Sequence, residues 1–428
     1  MLLETSPRGP DARPLLVCDL TQSWSPSGGG GISTYLREKR DYVLGHTPHH
    51  LLQIVPGERD RIVTQGRHVF AEVAADTVRG SPNYRFILRT SKVRELLARY
   101  RPDLIESLCP WILPWTAIEH RRAFPETALV AGYRTDFPNA HVHRVGREWF
   151  GETLGRFCRS LIYGYAQVTY REFDQVYTLG EEARASLASR GVTRTSVLPL
   201  GVDTSLFHPD RRDPAYRAEL GLPGSGPLLA YAGRLDNEKR ADRLVDMFRR
   251  LPPGLGAAMV MIGDGKLRGT LIERARGLPV AFPGFESDRA ALARALASAD
   301  VYVSAMADET FGVSVLEAQA AGLPVVGVTS GAMPARVPPG LGRLGPVDDV
   351  DAMAANVLAV LAEGPARVGR RARAHVEARF SWVATFGRLF SEVYPEALAR
   401  AAARKPAART DRVRAGRRET VEAADPPC

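Results

Sequence analysis

Asp308-Glu309-Thr310-Phe311-Gly312-Val313-Ser314-Val315-Leu316-Glu317 carries two carboxylates with seven residues between them. The stretch follows a short apolar run, Val301–Ser304, and feeds a segment that closes at Gly322-Leu323-Pro324. A short apolar run reads as a buried strand, and a longer apolar segment stopped by Gly and Pro reads as a helix, here Val313–Ala321. Glu309 then stands in the loop at the strand's carboxyl end and Glu317 within the helix, at the edge where open α/β sheets bind ligands. The amides of Phe311, Gly312 and Val313 at the helix start form an anion site, and Gly312 admits close backbone approach. Carboxylates beside an anion repel it unless they face hydroxyls, so sugar and ribose hydroxyls are their natural partners.

Outward from this stretch, apolar runs alternate with helix-like segments in both halves, the pattern of parallel sheets with crossover helices. The first half offers strands at Leu15–Leu20, Leu51–Val55, Leu104–Ser107, Ala128–Gly132, Gln175–Leu179 and Thr195–Leu198, with helices at Thr90–Tyr100 and Arg147–Tyr170. After the turn-rich Pro199–Pro209, strands are expected at Leu228–Gly233, Ala258–Ile262, Val280–Phe282, Val301–Ser304 and Pro324–Val328. The helices between and after them are Asn237–Leu251, Lys266–Arg276, Asp288–Ala297 and Asp348–Leu361. A last amphipathic segment, Ser381–Arg400, aligns Trp382, Phe386, Leu389, Phe390, Val393 and Tyr394 on one stripe that packs the terminus back onto the body.

Within this frame the chain resembles the retaining glycosyltransferases of family four, whose signature is Glu-x7-Glu followed by Ala-x-Ala-x-Gly-x-Pro-Val-Val. The match is Glu317-Ala318-Gln319-Ala320-Ala321-Gly322-Leu323-Pro324-Val325-Val326. The resemblance implies an α/β GT-B fold: two Rossmann-like domains face each other across a cleft, and a C-terminal helix packs back onto the body. It also implies that Glu309 contacts hydroxyls of a donor sugar and that Glu317 holds the nucleotide ribose.

Tyr231-Ala232-Gly233-Arg234-Leu235-Asp236-Asn237-Glu238-Lys239 looks like the family's Gly-Arg-Leu…Glu-Lys element. It puts a guanidinium and an ammonium in reach of one diphosphate. With these two cations on the leaving group, and no Asp-x-Asp where a metal would be held, the resemblance implies metal-independent transfer. Phe282-Pro283-Gly284-Phe285 implies that Gly284 and Phe285 read and stack on the base, and Ser330-Gly331-Ala332 resembles a small-residue loop near the phosphates. In Ser27-Gly28-Gly29-Gly30-Gly31, the family's glycine pair before the first helix falls on Gly30 and Gly31, whose amides face the diphosphate from the opposite wall. Gly132-Tyr133-Arg134-Thr135-Asp136-Phe137-Pro138 resembles the Tyr-His-Thr-Asp-Phe-Pro element of relatives that use donors such as GDP-mannose, and places Arg134 and Asp136 with Glu309 among the catalytic candidates. The departure is Arg134, where the family has His: arginine keeps its charge and cannot act as a base. His141 and His143 lie close enough in sequence to substitute, although a solvent-facing role accounts for each.

The chain has 428 residues, enough for two domains with tails. The expected division is an N-terminal segment 1–14, an acceptor domain 15–200, a nucleotide-sugar domain 201–375, a returning helix 376–400 and a basic tail 401–428. Scattered Cys18, Cys109, Cys158 and Cys428 suggest neither a disulfide framework nor a zinc site. The net charge of +9 gathers partly in the tail, at Arg404, Lys405, Arg409, Arg412, Arg414, Arg417 and Arg418. That cluster reads as a solvated tail or as weak attraction to a membrane surface. No aromatic RNA-binding motif or zinc-finger spacing points to specific nucleic-acid binding. With no signal-like start and no apolar run near the roughly 20 residues that span a bilayer, a cytoplasmic protein is expected, with room for peripheral contact at the inner membrane face.

The expected activity is retaining transfer of a hexose from a GDP- or UDP-linked donor to a lipid or glycan hydroxyl, with no cofactor beyond that co-substrate. The Thr-Asp-Phe-Pro resemblance alone favours GDP-mannose. Trp111, Pro114 and Trp115 suit either a lipid headgroup or a buried core. The alternative is a degenerate sugar-nucleotide binder without turnover. A nicotinamide oxidoreductase is disfavoured because no G-x-G-x-x-G follows the first strand.

Overall fold

Buried apolar runs become the centres of two parallel sheets in a computed structural model that describes residues 13–22, 24, 31–78, 81–134 and 161–404. Gly30, Asp136, His141, His143, Cys158, Cys428 and the tail cations from Lys405 onward lie outside the described residues. The first half contributes β1 (Leu16–Leu20), β2 (His50–Gly57), β3 (Arg61–Gln65), β4 (His68–Ala74), β5 (Asp76–Val78), β6 (Ser81–Phe86), β7 (Leu104–Ser107), β8 (Ala128–Tyr133), β9 (Gln175–Thr178) and β10 (Thr195–Val197). The second contributes β11 (Leu228–Ala232), β12 (Ala258–Ile262), β13 (Val280–Gly284), β14 (Val301–Val303), β15 (Val325–Val328) and β16 (Gly342–Gly345).

The first sheet has eight strands in the order β10-β9-β8-β7-β1-β2-β4-β3, parallel except where β3 runs against β4. The second has six parallel strands in the order β13-β12-β11-β14-β15-β16. Strands covered on both faces should read as unbroken apolar runs, and every residue of β7, β8, β11 and β12 is buried. Each sheet has a switch point where strand order reverses: β1 lies between β2 and β7, and β11 lies between β12 and β14. Ligand crevices open beyond the carboxyl ends of such strand pairs.

Strands β3 to β6 and β16 were not expected from the sequence. The pair β3 and β4 is joined by a two-residue turn, Gly66-Arg67, with Gly66 at φ +56°, and β3 is exposed at four of its five positions, so it lacks the long buried apolar run of the central strands. Helices at Leu113–Ala123 and Pro365–Arg379 were likewise unread. Of the expected Arg147–Tyr170 helix, residues 161–170 are described and helical. Trp111 and Trp115 pack against the apolar cluster of the first sheet, with Pro114 buried beside them, as the core reading has it.

The expected Ser381–Arg400 helix is interrupted. Trp382–Arg388 is α-helical, Leu389–Val393 forms a π turn, and Tyr394–Ala402 resumes the α-helix. The stripe nonetheless reaches the first half. Phe386 lies 5.2 Å from Tyr35 and 5.4 Å from Tyr42, both on the Gly31–His46 helix. Where the chain returns, the Val202 N–H donates to the Phe380 carbonyl at 2.6 Å, and Val202 and Ser381 form an isolated parallel bridge. Arg404, expected in the solvated tail, is instead pinned to the body. It donates to the Pro125 carbonyl at 3.1 Å and the Thr127 carbonyl at 2.8 Å, and forms an ion pair with Asp174. A guanidinium's fork of donors matches two carbonyls of the turn before β8 and a carboxylate at once, which the tail's composition does not reveal.

Candidate functional site

The second sheet's switch point sets two loops side by side, one leaving β11 and the other β14. The β11 loop is shaped by glycine. Gly263 has φ +144°, and a Cβ there would overlap the Gly233 carbonyl oxygen. The two loops that follow β11 and β12 can therefore press together, with the Gly233 N–H donating to Ile262 at 3.0 Å and the Leu235 N–H to Asp264 at 2.9 Å. The Tyr231 hydroxyl donates to the Arg234 carbonyl at 2.9 Å, and Asp236 accepts from the Lys239 amide at 3.0 Å, which turns the chain toward the Ala241–Arg249 helix.

This turn delivers the Lys239 ammonium to the β14 loop, where Nζ lies 3.2 Å from Glu309 Oε2. The other oxygen of Glu309 accepts from the Gly312 amide at 2.9 Å and the Phe311 amide at 3.4 Å. Two of the three amides expected to face an anion are thus directed at Glu309's own carboxylate, while Val313 begins the helix. Gly312 has φ +83°, a left-handed conformation that glycine adopts freely and other residues do not. Gly331 packs on the backbone of Glu309, where a Cβ would lie 2.6 Å from the carbonyl oxygen, and the Ala332 amide donates to that oxygen at 2.7 Å.

Glu317 is 4% exposed, on the helix that Gly312 caps, and its Oε1 accepts from Arg289 at 2.5 Å. Burial raises the Glu317 pKa and the Arg289 guanidinium opposes that rise. Tyr302, buried beneath, donates to the Ala232 carbonyl at 3.0 Å. Burial, and then the fields of both Glu309 and Glu317, raise its hydroxyl pKa, so the two carboxylates share one neighbourhood. Gly284 ends β13 at φ +94°, and the ring of Phe285 beside it is 75% exposed at the same carboxyl edge. Arg234 is not drawn to Lys239's position: its guanidinium pairs with Asp236 and, at 2.8 Å, with Glu238. Among the described residues, no three His, Cys, Asp or Glu side chains gather as a metal site.

This arrangement agrees with what the chain resembles in known proteins. Residues 28–206 match the family described as Glycosyltransferase Family 4, and residues 226–363 match Glycosyl transferases group 1. The chain belongs to glycosyltransferase family four. It is 32% identical over 313 residues to the GDP-mannose-dependent alpha-(1-6)-phosphatidylinositol dimannoside mannosyltransferase of Mycobacterium tuberculosis, across 72% of this chain and 78% of that one. It is 27% identical over 333 residues to a GDP-mannose-dependent alpha-mannosyltransferase of Corynebacterium glutamicum, across 74% of this chain and 73% of that one. Among solved structures, the sucrose-phosphate synthase of Thermosynechococcus elongatus superposes with a TM-score of 0.69 at 21% identity, covering 91% of this chain and 100% of that one. The fold is GT-B, and the protein is a glycosyltransferase that uses a nucleotide sugar.

The residues expected to form the transferase's opposite wall lie beside the first sheet. Gly31 opens the Gly31–His46 helix, and a Cβ there would meet nothing within 4 Å. Arg134 follows β8, its guanidinium 4.2 Å from the centroid of the Tyr35 ring. Two arginines of the transferase's second half were not singled out from the sequence. Arg289 opens a helix behind the Asp288 cap and reaches Glu317, with its guanidinium 4.9 Å from the Phe207 ring. Arg336 is 6% exposed, donates to the Phe311 carbonyl at 2.7 Å and lies over the Phe311 ring at 4.2 Å. Burial lowers its pKa to about 10 against the pull of Glu309. A cation next to one aromatic of the Glu-x7-Glu loop has no local sequence signature, because Arg336 is brought in from after β15.

Proposed function

We propose that this transferase moves a mannosyl group from GDP-mannose to a lipid or glycan hydroxyl, with retention at the anomeric carbon and without a metal ion. The observation that carries the reading is the Lys239–Glu309 pair at the switch-point edge, with Glu317 in the same neighbourhood. Lys239 exchanges Glu309 for the donor's diphosphate, which frees Glu309 Oε2 to accept from sugar hydroxyls while the Phe311 and Gly312 amides keep the carboxylate in place. Glu317 accepts from the ribose diol. The exposed Arg234 turns from Glu238 to the phosphates, Gly284 and Phe285 meet the base, and the first wall contributes Gly30, Gly31, Arg134 and Asp136.

As the bond from the anomeric carbon to the phosphate oxygen breaks, its electron pair leaves with the diphosphate, whose growing charge Lys239 and Arg234 stabilise. The acceptor oxygen bonds to the anomeric carbon from the face just vacated, and its proton passes to the leaving phosphate oxygen. Arg134 cannot take that proton; its charge instead favours the departing phosphate. GDP-mannose as donor, and a phosphoinositol glycolipid as acceptor class, are supported by the activity for which the Mycobacterium tuberculosis relative is named.

The reading is tested by incubating the protein with GDP-mannose and a mannosylated phosphoinositol lipid in excess chelator, then assigning the product anomer by NMR. An α-linked product formed at an unchanged rate is expected. A β-linked product, or loss of rate that added divalent metal restores, overturns retention or metal independence respectively. Nucleotide binding without turnover on any donor favours the degenerate binder.

A further inference from the structure

The first half holds a buried charged cluster that the transfer chemistry does not use. Lys39, on the inner face of the Gly31–His46 helix, is fully buried and pairs with Asp19 of β1 and, at 2.6 Å, with Glu106 of β7. Gln53 of β2 donates to Asp19 at 3.0 Å. Glu106 accepts from three tyrosine hydroxyls: Tyr35 at 2.7 Å, Tyr177 of β9 at 2.6 Å, and Tyr394 of the C-terminal helix. Burial alone would raise Glu106, but Lys39 and the hydroxyls hold it below its ordinary value, so it stays ionised and the tyrosines act as donors. Desolvating such ions is costly, and a network with its members satisfied is rigid and specific in geometry.

What this cluster fixes is the buried ring of Tyr35, against which Arg134 lies. The Arg134 guanidinium sits 4.2 Å from the Tyr35 ring centroid, and Arg134 Nη1 is buried with no hydrogen-bond partner among the described residues. Phe386 and Trp382 of the C-terminal segment hold the Tyr35 ring in place at 5.2 and 6.1 Å. A phenol that donates to a carboxylate carries more negative charge on its ring face, which strengthens its hold on a cation. Gly132 completes the fit, since a Cβ there would lie 2.6 Å from the Tyr177 hydroxyl and push β8 away just before Arg134.

We infer that Tyr35 is a positioning residue for Arg134, fixed by Glu106, and that Tyr394 makes the C-terminal helix part of the same support. The inference rests on the proposed placement of Arg134 at the reacting sugar.

The test compares GDP released from GDP-mannose by full-length Arg134→Ala, Tyr35→Leu, Tyr35→Phe, Tyr394→Phe and the double variants that combine each tyrosine change with Arg134→Ala. Melting temperatures are recorded alongside. Tyr35→Leu should lower kcat about tenfold with donor KM nearly unchanged, and Tyr35→Phe, which keeps the ring, should lose less. Tyr394→Phe should cost a few-fold in kcat. In the Arg134→Ala background each tyrosine change should have no further effect on kcat. Multiplicative losses in the double variants overturn the inference while leaving Arg134 in the site. An unchanged kcat for Arg134→Ala overturns its placement, and the inference with it. If Tyr35→Leu does not fold, Tyr35→Phe and Tyr394→Phe give the same decision.

Discussion

Replacing Lys239 with methionine removes the one cation that touches Glu309 among the described interactions while keeping the length of its stem. Across 3.2 Å, with an effective dielectric near 20, the pair attracts by roughly 5 kcal/mol, most of which is offset by desolvation of the two ions. Glu309 keeps the Phe311 and Gly312 amides in the variant, so it stays in place. The folded state should therefore lose only about 1 kcal/mol, a fall of a few degrees in Tm. The transition state fares worse. A fixed cation on the leaving diphosphate is worth about a hundredfold to a thousandfold in rate. Affinity for GDP, measured by calorimetry, should weaken by about tenfold to a hundredfold, the range of a lost charge-assisted bond. The assay is kcat/KM for GDP-mannose, with Glu309→Gln and the double variant run in parallel. Because the two side chains act as a unit, the double loss should fall well short of the product of the single losses. A Lys239→Met enzyme with kcat/KM within threefold of the parent and an unchanged Tm would falsify the assignment of Lys239 to the phosphates.

Two glycines separate backbone strain from steric overlap. Gly312→Ala meets nothing closer than 3.5 Å, so its cost is that of a left-handed alanine, about 1–2 kcal/mol by urea denaturation. Gly263→Ala must part the β11 and β12 loops and should cost about 3 kcal/mol or more, with loss of GDP binding; equal costs for the two would contradict the loop packing. Glu38 titrates near 7, raised by burial and then by Asp203 and Asp41. Its carboxyl is neutral in both states below about pH 4.5, so it has no effect there. As pH rises toward 7 the unfolded chain ionises first and the folded state loses stability, a loss that levels off once the folded group ionises too. Glu38→Gln should thus raise the urea midpoint at pH 8 and leave it unchanged near pH 4; an equal shift at both pH values speaks against this origin.

Much of the fold was legible because parallel strands buried on both faces announce themselves: Leu104–Ser107 and Ala258–Ile262 fall where the apolar runs put them. The helix at Thr90–Tyr100 was legible from its own periodicity. The edge strand Arg61–Gln65 was not, because one residue of five is shielded, and its local signals are only the short β-branched run Ile62-Val63-Thr64 and the glycine that starts the turn after it. The π turn at Leu389–Val393 is invisible in a stripe whose spacing suits an unbroken helix. At the site, Lys239 and Glu309 could be placed in one crevice from sequence because each follows a strand, but their ion pair was not legible, since Lys239 reads there as a partner of Arg234. Arg289 and Arg336 could not be placed there, since neither sits in a motif at a strand's end: Arg289 opens a helix behind Asp288 and reaches the helical Glu317, and Arg336 closes a short helix after β15. Arg234 shows the limit of motif reading in another way: acids two and four residues on compete for its guanidinium.

The chain passes between its halves twice, and at Val202 and Phe380–Ser381 the two passages are bonded to each other. A single tether would leave the nucleotide-sugar half free to swivel in any direction. A laced pair resists that swivel more than a lone strand would, so opening and closing of the cleft is confined to fewer directions. The donor's route in and the nucleotide's route out then share that restriction, and a substitution that loosens the lacing, at Gly201 against Trp382 for instance, would be felt in the timing of turnover while every group at the reacting centre stayed intact.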